Sequence, residues 1–452
     1  MIIPFQQKTS KSSLLFNEAN QWIPGGVTAN IKYFKPYPIV MEKANGPYLY
    51  DVDGNEYIDF NLCYGSLILG HGHPEITHAF YNLLLEIGTT VYGTPHKQEI
   101  AMARKLTELF PSIEKVRFTN SGLEATLLAL RLAMAWNKRK KIAKFEGHYH
   151  GSYDQVLVGV NPPKRSTNEL PTVTSDSLGL PNYYLENTIM LPFNDLDQTA
   201  ELLKKHKDEL AAVIIEPIQS GYIPPDPTFL HELRRLTSEY QIALIFDEVK
   251  TGFRMGITGA QGIYQIKPDL TALGKVLGGG FPVGAVGGRK EIMDLSSPVG
   301  GMNILTDSAE SSESHKPLFH SGTYNGHPLV MAAGLKTIEI LSQVNFYQDL
   351  EKQTQRLRKG IEQLMEHYGL PAQTIGVGSI FNIVFSTEPI KQIQDVLASD
   401  LSIRKSLDRY LIKHGVYLKP MNRLSMSITH NDKIIDQTLE RFEAALQELT
   451  SK

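Results

Sequence analysis

Two stretches of the sequence carry side chains that together could do covalent chemistry. Residues 243–249 (ALIFDEV) form an apolar run that reaches Asp247 near its end, which is typical of a buried parallel strand that delivers an acid to a crevice of an open α/β sheet. Residues 271–275 (TALGK) end in Lys275, and the glycines at 278–280 would let backbone approach a ligand. A lysine held in this way can lose its proton and act as a nucleophile.

A carboxylate and a nucleophilic lysine at one site match two requirements of pyridoxal phosphate. The carboxylate would keep the pyridine nitrogen protonated, and the amine would form a Schiff base with the aldehyde. The ordinary alternatives are a surface position for Lys275 and a strand-end cap or structural ion pair for Asp247. A noncatalytic α/β protein whose glycine loop merely cradles phosphate is a third reading, although no G-x-G-x-x-G follows a first strand.

Six strings in the chain resemble class III aminotransferases, most closely the glutamate-1-semialdehyde aminomutase branch. They follow the family's order over nearly the whole chain: PGGVT at 24–28, TNSGLEA at 119–125, FEGHYHG at 145–151, FDEVKTGFR at 246–254, ALGKVLGGGFPVGAVGG at 272–288 and SGTYNGHP at 321–328. The resemblance implies the α/β fold of fold type I pyridoxal-phosphate-dependent transferases. That fold has a large, mostly parallel sheet domain with helices on both faces, and a small α+β domain built from the N- and C-terminal segments.

The resemblance also assigns roles at the cofactor ring. It implies that Lys275 forms the Schiff base and then moves protons, and that Asp247 holds the ring nitrogen protonated. Tyr149 would stack on the ring, and Val249, which faces the same way along the strand as Asp247, would pack on it. Without the motif, Tyr149 would be read as a core tyrosine. Glu216 ends a strand at the same sheet edge, and we predict a supporting role for it near the cofactor.

Phosphate binding is predicted at a strand-to-helix turn. Free amides at a helix start suit a dianionic phosphate, and the resemblance makes Ser121 and Gly122 its ligands. NSG alone would be a weak motif. Thr323 resembles the residue that reaches the phosphate from the partner subunit, which implies a homodimer with shared active sites.

The substrate residues differ from those of the aminomutases. Lys32 stands where they have an arginine that clamps the substrate carboxylate, Tyr64 replaces a tryptophan, Gly221 an asparagine, and Leu424 lies near a glutamate that they keep. Arg423 is a second candidate carboxylate ligand. We therefore predict an aminotransferase that moves an amino group between an amino acid, preferably aromatic or β-amino, and a keto acid or aldehyde. The alternative is glutamate-1-semialdehyde 2,1-aminomutase or a related aminomutase or racemase.

The totals limit the partners. The 452 residues include 45 basic and 48 acidic side chains, a net charge of −3, which gives no reason to expect nucleic acid or a membrane as partner. No run of about 18 apolar residues and no basic, apolar leader occurs, so we expect a cytoplasmic protein. His148 and His150 have no third ligand in metal-binding spacing, so no metal is expected. The one cysteine, Cys63, is predicted to be a core or pocket-wall residue.

The pattern of elements predicts three segments. Residues 1–73 should hold a helix at 12–22, capped by Ser12, and an antiparallel meander at 39–41, 47–51 and 56–60. Residues 74–327 should form the large cofactor-binding domain, because strands and helices alternate from residue 115 onward, and residues 328–452 a C-terminal small domain. Within the large domain, the long loop at 147–187 is a candidate lid, and the polar stretch at 300–316 is predicted to be disordered or mobile.

Overall fold

The strands reproduce the predicted α/β alternation. A computed structural model describes residues 5–166, 169–299 and 318–451, so the predicted mobile stretch at 300–316 lies outside the described residues. The strands are β1 Met41–Asn45, β2 Tyr48–Asp51, β3 Glu56–Asp59, β4 Lys115–Thr119, β5 Lys141–Phe145, β6 Thr188–Leu191, β7 Leu210–Ile215, β8 Ala243–Asp247, β9 Leu270–Gly274, β10 Gly284–Gly288, β11 Gln373–Val377, β12 Ile380–Val384, β13 Val416–Tyr417 and β14 Leu424–Ser425.

Helices separate most of these strands. They are α1 Phe5–Lys8, α2 Ser10–Trp22, α3 Leu62–Gly65, α4 Pro74–Ile87, α5 Lys97–Leu109, α6 Gly122–Asn137, α7 Asn182–Glu186, α8 Leu196–His206, α9 Phe229–Glu239, α10 Gly259–Tyr264, α11 Lys290–Met293, α12 Pro328–Leu341, α13 Phe346–His367, α14 Ile393–Ala398, α15 Leu401–Lys413 and α16 Asp432–Thr450. Short 3₁₀ turns occupy Pro24–Gly26, Asn30–Lys32, Lys275–Gly278 and Asp294–Ser296.

The chain divides into two compact units. The first contains residues 1–74, 345–389 and 399–452, and the second contains residues 75–344 and 390–398. This division is by spatial contact, and the three predicted domain boundaries stay a prediction. Among the described residues, no helix is both long and apolar enough to cross a bilayer.

The second unit is built on a seven-stranded sheet in the order β4-β10-β9-β8-β7-β5-β6. β9, β8, β7, β5 and β6 run parallel to one another, whereas β10 is antiparallel to both of its neighbours. Every residue of β7, β8 and β9 is buried, which explains their continuous apolar sequences. The predicted mostly parallel sheet is confirmed, and the carboxyl ends of β5, β7, β8 and β9 lie at one edge.

The first unit contains two small sheets. β1, β2 and β3 form the predicted antiparallel meander, with β13 added parallel to β3, and β11, β12 and β14 form an antiparallel sheet. The first meander strand begins at Met41, later than the predicted residue 39.

Two details of the first unit differ from the prediction. Helix α2 begins at Ser10, so Ser12 does not cap it. Instead, the Asp53 carboxylate accepts from the amides of Lys11 and Ser12 at 2.7 and 3.0 Å, and the Ser12 hydroxyl donates to it as well. Cys63 is exposed rather than in the core.

Candidate active site

A cavity of about 180 Å³ in the second unit lies at the carboxyl ends of β5, β7, β8 and β9, where open α/β sheets bind ligands. Six residues that were predicted from the sequence line this cavity, together with five others. The predicted ones are Gly122, Tyr149, Glu216, Asp247, Val249 and Lys275, and the others are Leu123, Thr126, His150, Gly151 and Lys250.

Asp247 ends β8 and is held in place by two neighbours. One carboxylate oxygen accepts from the amide of Val249 at 3.0 Å, and the other lies 2.8 Å from Nδ1 of His150. Both side chains are buried. Because a carboxylate oxygen accepts, we assign the proton to Nδ1 of His150. In the part of the chain that the structure describes, the buried Nε2 of His150 has no hydrogen-bond partner.

Lys275 follows β9 directly and has a strained backbone. Its φ is +46°, in the left-handed region that side chains rarely adopt, and such a conformation costs ~1–3 kcal/mol. It opens the 3₁₀ turn Lys275–Gly278, and the residue that follows the turn, Gly279, also has positive φ. A strained non-glycine residue at the wall of a cavity supports a functional role for Lys275.

The start of helix α6 forms another wall. Ser121 is its N-cap, and the hydroxyl oxygen accepts from the amide of Glu124 at 3.2 Å, which leaves the hydroxyl proton for an anionic ligand. Gly122 packs tightly against Val249, since an added Cβ would lie 2.5 Å from Cγ1 of that side chain. Gly122 lines the cavity, and Ser121 precedes it in the chain.

Glu216 and Tyr149 form a further part of the cavity wall. Glu216 follows the end of β7, and Tyr149 lies shortly after the end of β5. The Glu216 carboxylate is bonded to the Lys250 ammonium at 2.6 Å and to the Tyr149 amide at 3.3 Å. Burial alone would raise the pKa of Glu216, but the charge and the hydrogen bond of Lys250 hold that pKa well below its usual range. The Tyr149 side chain is 49% exposed, so it is not the core tyrosine of the alternative reading.

Thr323 is exposed in a turn of the second unit, outside the cavity lining. Two residues on, the Asn325 side chain accepts from the Asn120 side-chain amide at 3.0 Å, so the turn is fastened beside the start of α6. The predicted contribution of Thr323 to a partner subunit's site stays a prediction.

The three predicted substrate residues lie in the first unit, and two of them are tied to one short segment. Tyr64 donates through its hydroxyl to the carbonyl of Ile31 at 3.2 Å, and Lys32 donates to the Thr28 hydroxyl at 2.7 Å. Burial raises the pKa of Tyr64, and the charge of Arg423 opposes that rise. Tyr64 itself has φ of +56°. These residues form a polar cluster within their own unit, and their role toward a substrate stays a prediction.

At the two other positions that differ from the aminomutases, Gly221 and Leu424, the backbone conformation or the packing accounts for the residue. Gly221 follows β7 with φ of +79°, a conformation that favours glycine over the asparagine of the aminomutases. Leu424 is fully buried at the start of β14, where it pairs with Phe381.

The predicted loop at 147–187 contains helix α7 near its end, and buried charged side chains hold its earlier part against the sheet. The fully buried ammonium of Lys144 on β5 donates to the carbonyls of Val156 and Val158 at 2.9 and 2.5 Å, and burial lowers its pKa to about 7. Arg165 pairs with the buried Glu146 at 2.7 Å. Residues 167–168 lie outside the described part, and the lid function stays a prediction.

Of the five lining residues that the sequence did not predict, two have titratable side chains, His150 and Lys250. His150 was considered only as a metal ligand, and Lys250 was not singled out. Both residues follow strand ends in irregular backbone, so the signal that could have directed them to the site is their place just after β5 and β8, at the carboxyl edge of the parallel sheet.

Comparison with known proteins adds a family and three close relatives. The family model described as aminotransferase class-III matches residues 31–446. A glutamate-1-semialdehyde 2,1-aminomutase of Persephonella marina is 40% identical over 98% of this chain and 100% of its own length. A solved omega-transaminase of Sphaerobacter thermophilus is 37% identical, with a TM-score of 0.90 and 97% of each chain covered. A solved transaminase with bound pyridoxal phosphate is 30% identical, with a TM-score of 0.87 and 98% of each chain covered.

Proposed function

Because the chain belongs to the class III aminotransferase family, whose cofactor is pyridoxal 5′-phosphate, we propose that its cavity holds that cofactor and that Lys275 and Asp247 carry amino-group transfer. The observation behind this proposal is that a buried carboxylate and a strained lysine line one cavity at the carboxyl edge of a parallel sheet. When bound, pyridoxal phosphate supplies an electron sink for the substrate carbon that bears the amine.

The residues present fit this cofactor. Asp247, fixed by His150 and by the Val249 amide, offers a carboxylate oxygen to a protonated ring nitrogen. Lys275 offers its amine to the aldehyde and can then carry a proton to and from the substrate carbon. Tyr149 and Val249 offer flat and branched walls for an aromatic ring.

Phosphate fits the start of α6. A 16-residue helix presents unsatisfied amides and a positive dipole end at Ser121 and Gly122. The missing Cβ at Gly122 keeps the backbone close to Val249, so the helix start can approach the cavity. Together these features support phosphate binding by the two residues.

Two net reactions are candidates. The name of the Persephonella marina relative favours the 2,1-aminomutase, in which the amine returns to the same carbon skeleton, over the aminotransferase that the sequence analysis preferred. Amine transfer to a separate acceptor is the second candidate, and two observations favour it. Lys32 cannot provide the forked carboxylate contact of an arginine, and the Sphaerobacter relative is a transaminase.

The first experiment tests the site itself. Borohydride reduction of the yellow holoenzyme should fix the cofactor onto the peptide that contains Lys275, as read by mass spectrometry. Lys250 lines the same cavity and so provides the internal comparison. Label on Lys250, or on a lysine outside the cavity, would refute the proposal.

The second experiment separates the net reactions. The enzyme is supplied with glutamate 1-semialdehyde alone, and separately with amino donors, including aromatic and β-amino acids, plus a keto acid. Formation of 5-aminolevulinate without an acceptor identifies the aminomutase. Amine exchange that requires the keto acid identifies the aminotransferase, and Lys32→Ala and Arg423→Ala then show by their KM which cation holds the donor carboxylate.

The remaining expectations about partners and location are also proposals. We infer a homodimer with shared sites from the resemblance of Thr323 to a residue that crosses the subunit boundary. The proposal of a cytoplasmic location is supported by the balanced charge and the single cysteine of the sequence.

A further inference from the structure

A single carboxylate joins three neighbouring strand ends beside the cavity. Glu216 follows β7, Lys250 lies three residues beyond the end of β8, and Tyr149 follows β5. One oxygen of Glu216 accepts from the Lys250 ammonium at 2.6 Å, and the other accepts from the amides of Tyr149 and Ser220, each at 3.3 Å. The charged side chains of Glu216 and Lys250 are 3% and 10% exposed, so the ion pair is largely removed from water.

Besides the backbone bond to Glu216, Tyr149 has a hydrogen bond between its side chain and Ser152. Its side chain is 49% exposed, and it follows Gly147, whose φ is +78°. The adjacent His148 is anchored, because its Nδ1 accepts from the amide of Glu216 at 3.1 Å. Residues 148 and 149 are thus both bonded to Glu216: the His148 side chain accepts from the Glu216 main-chain amide, and the Tyr149 main-chain amide donates to the Glu216 carboxylate.

We infer that the buried pair of Glu216 and Lys250 positions Tyr149 on the cavity wall, which makes Lys250 a positioning residue of this site. The consequence for cofactor binding rests on the proposed function, because it requires Tyr149 to stack on the cofactor ring. The position of the Tyr149 backbone depends on the ion pair whether or not the cofactor is bound.

Charge is the reason that Lys250 matters. Burial penalises the Glu216 carboxylate, and its ionised form is kept by nearby positive charge, from Lys250 above all. When one partner of a buried ion pair is removed, the other is left uncompensated, whereas neutralising both can be almost without cost. The titratable groups around Glu216, or lining the same cavity, are Lys250, His148, His150, Lys144, Tyr149, Asp247 and Lys275.

The test compares Lys250→Met with the double variant Lys250→Met/Glu216→Gln. In the single variant the pKa of Glu216 should rise, so that protonation weakens the charged acceptor of the Tyr149 amide as pH falls from 9 to 6. The Kd of pyridoxal phosphate for the apo protein, divided by the wild-type Kd at each pH, should increase about tenfold over this range, the size of a lost charge-assisted hydrogen bond. In the double variant the ratio should be independent of pH and within a few-fold of one, since the Gln side-chain oxygen still accepts from the amide.

A second readout uses the apo protein alone. Hydrogen exchange at the Tyr149 amide should accelerate in Lys250→Met and return toward wild type in the double variant and in Lys250→Arg. Lys141→Met, which breaks the more exposed pair of Lys141 with Glu209, is the matched control and should change neither readout.

The outcomes separate the two proposals. A Lys250→Met protein that is only less stable, with an unchanged Tyr149 amide and a Kd ratio that does not vary with pH, would show that the pair is merely structural and would overturn the inference. Failure of borohydride to label Lys275 would instead overturn the proposed function and leave the amide-exchange result valid.

Discussion

The contact between Gly122 and Val249 gives the sharpest quantitative prediction. Replacing Gly122 by alanine adds a Cβ that would lie 2.5 Å from Cγ1, 2.8 Å from Cγ2 and 3.3 Å from Cβ of Val249. Ordinary carbon contacts are about 3.5–4.0 Å, so one of the two residues must move by roughly 1 Å. The φ of Gly122 is not in the left-handed region, so the expected effect is steric.

The size of the effect follows from the stiffness of the neighbour. A β-branched side chain has few rotamers to escape into, and the Val249 amide is held by Asp247 at 3.0 Å. Overpacking of this kind costs ~1–3 kcal/mol. Because Gly122 and Val249 both line the cavity, movement of Val249 would also disturb the wall that we propose for the cofactor ring.

The assay is a double-mutant cycle on the apo protein, read by the midpoint of thermal or urea unfolding. Gly122→Ala should lower the midpoint, Val249→Ala should lower it through lost packing, and the double variant should be more stable than the sum of the two losses predicts. Gly93→Ala is the control, since nothing lies within 4 Å of its added Cβ and its φ is not positive. A Gly122→Ala protein as stable as the Gly93→Ala control, or strictly additive losses, would refute the reasoning.

Three further predictions concern charge and assembly. Lys144 has a pKa of about 7 in the folded protein against 10.5 in the unfolded chain. Between these values the unfolded chain binds more protons, so the free energy of unfolding should rise with pH. Lys144→Met should flatten this rise in unfolding measured from pH 7 to 10, and an unchanged slope would contradict the prediction. His150→Phe removes a buried donor from Asp247 and should weaken binding of pyridoxal phosphate about tenfold, and equal affinity by absorbance titration would show that Asp247 does not depend on it. If Thr323 acts across a subunit boundary, dilution below the dimer dissociation constant should release the cofactor, whereas a fully active monomer in light scattering would exclude shared sites.

Sequence reasoning worked best for the buried strands. The apolar runs that become β7, β8 and β9 are buried throughout, as strands inside a parallel sheet covered on both faces must be, so an apolar sequence is enough to identify them. The carboxyl ends of these strands mark the edge of the sheet at which the cavity lies. Six predicted residues therefore line one cavity, because parallel strands bring their carboxyl ends to the same edge.

Interactions between distant residues were harder to predict. The α2 start depends on Asp53, some forty residues away in sequence, so local capping rules placed it at Ser12. His150 and Lys250 follow strands in irregular backbone, where no periodicity says which way a side chain points. Their partners Asp247 and Glu216 become evident only when β5, β7 and β8 are known to be neighbours.

The antiparallel strand β10 explains how the start of α6 can serve the same cavity as Lys275. β10 lies between β4 and β9, and its first residue, Gly284, pairs with Thr119 at the end of β4 and with Gly274 at the end of β9. A Cβ at Gly284 would lie 2.1 Å from the carbonyl oxygen of Ser121, so only glycine allows this approach. The glycine at this position therefore supports the site because it allows the strand ends to pack closely. This packing holds the turn at Ser121 two strands away from Lys275, and the two side chains do not need to touch.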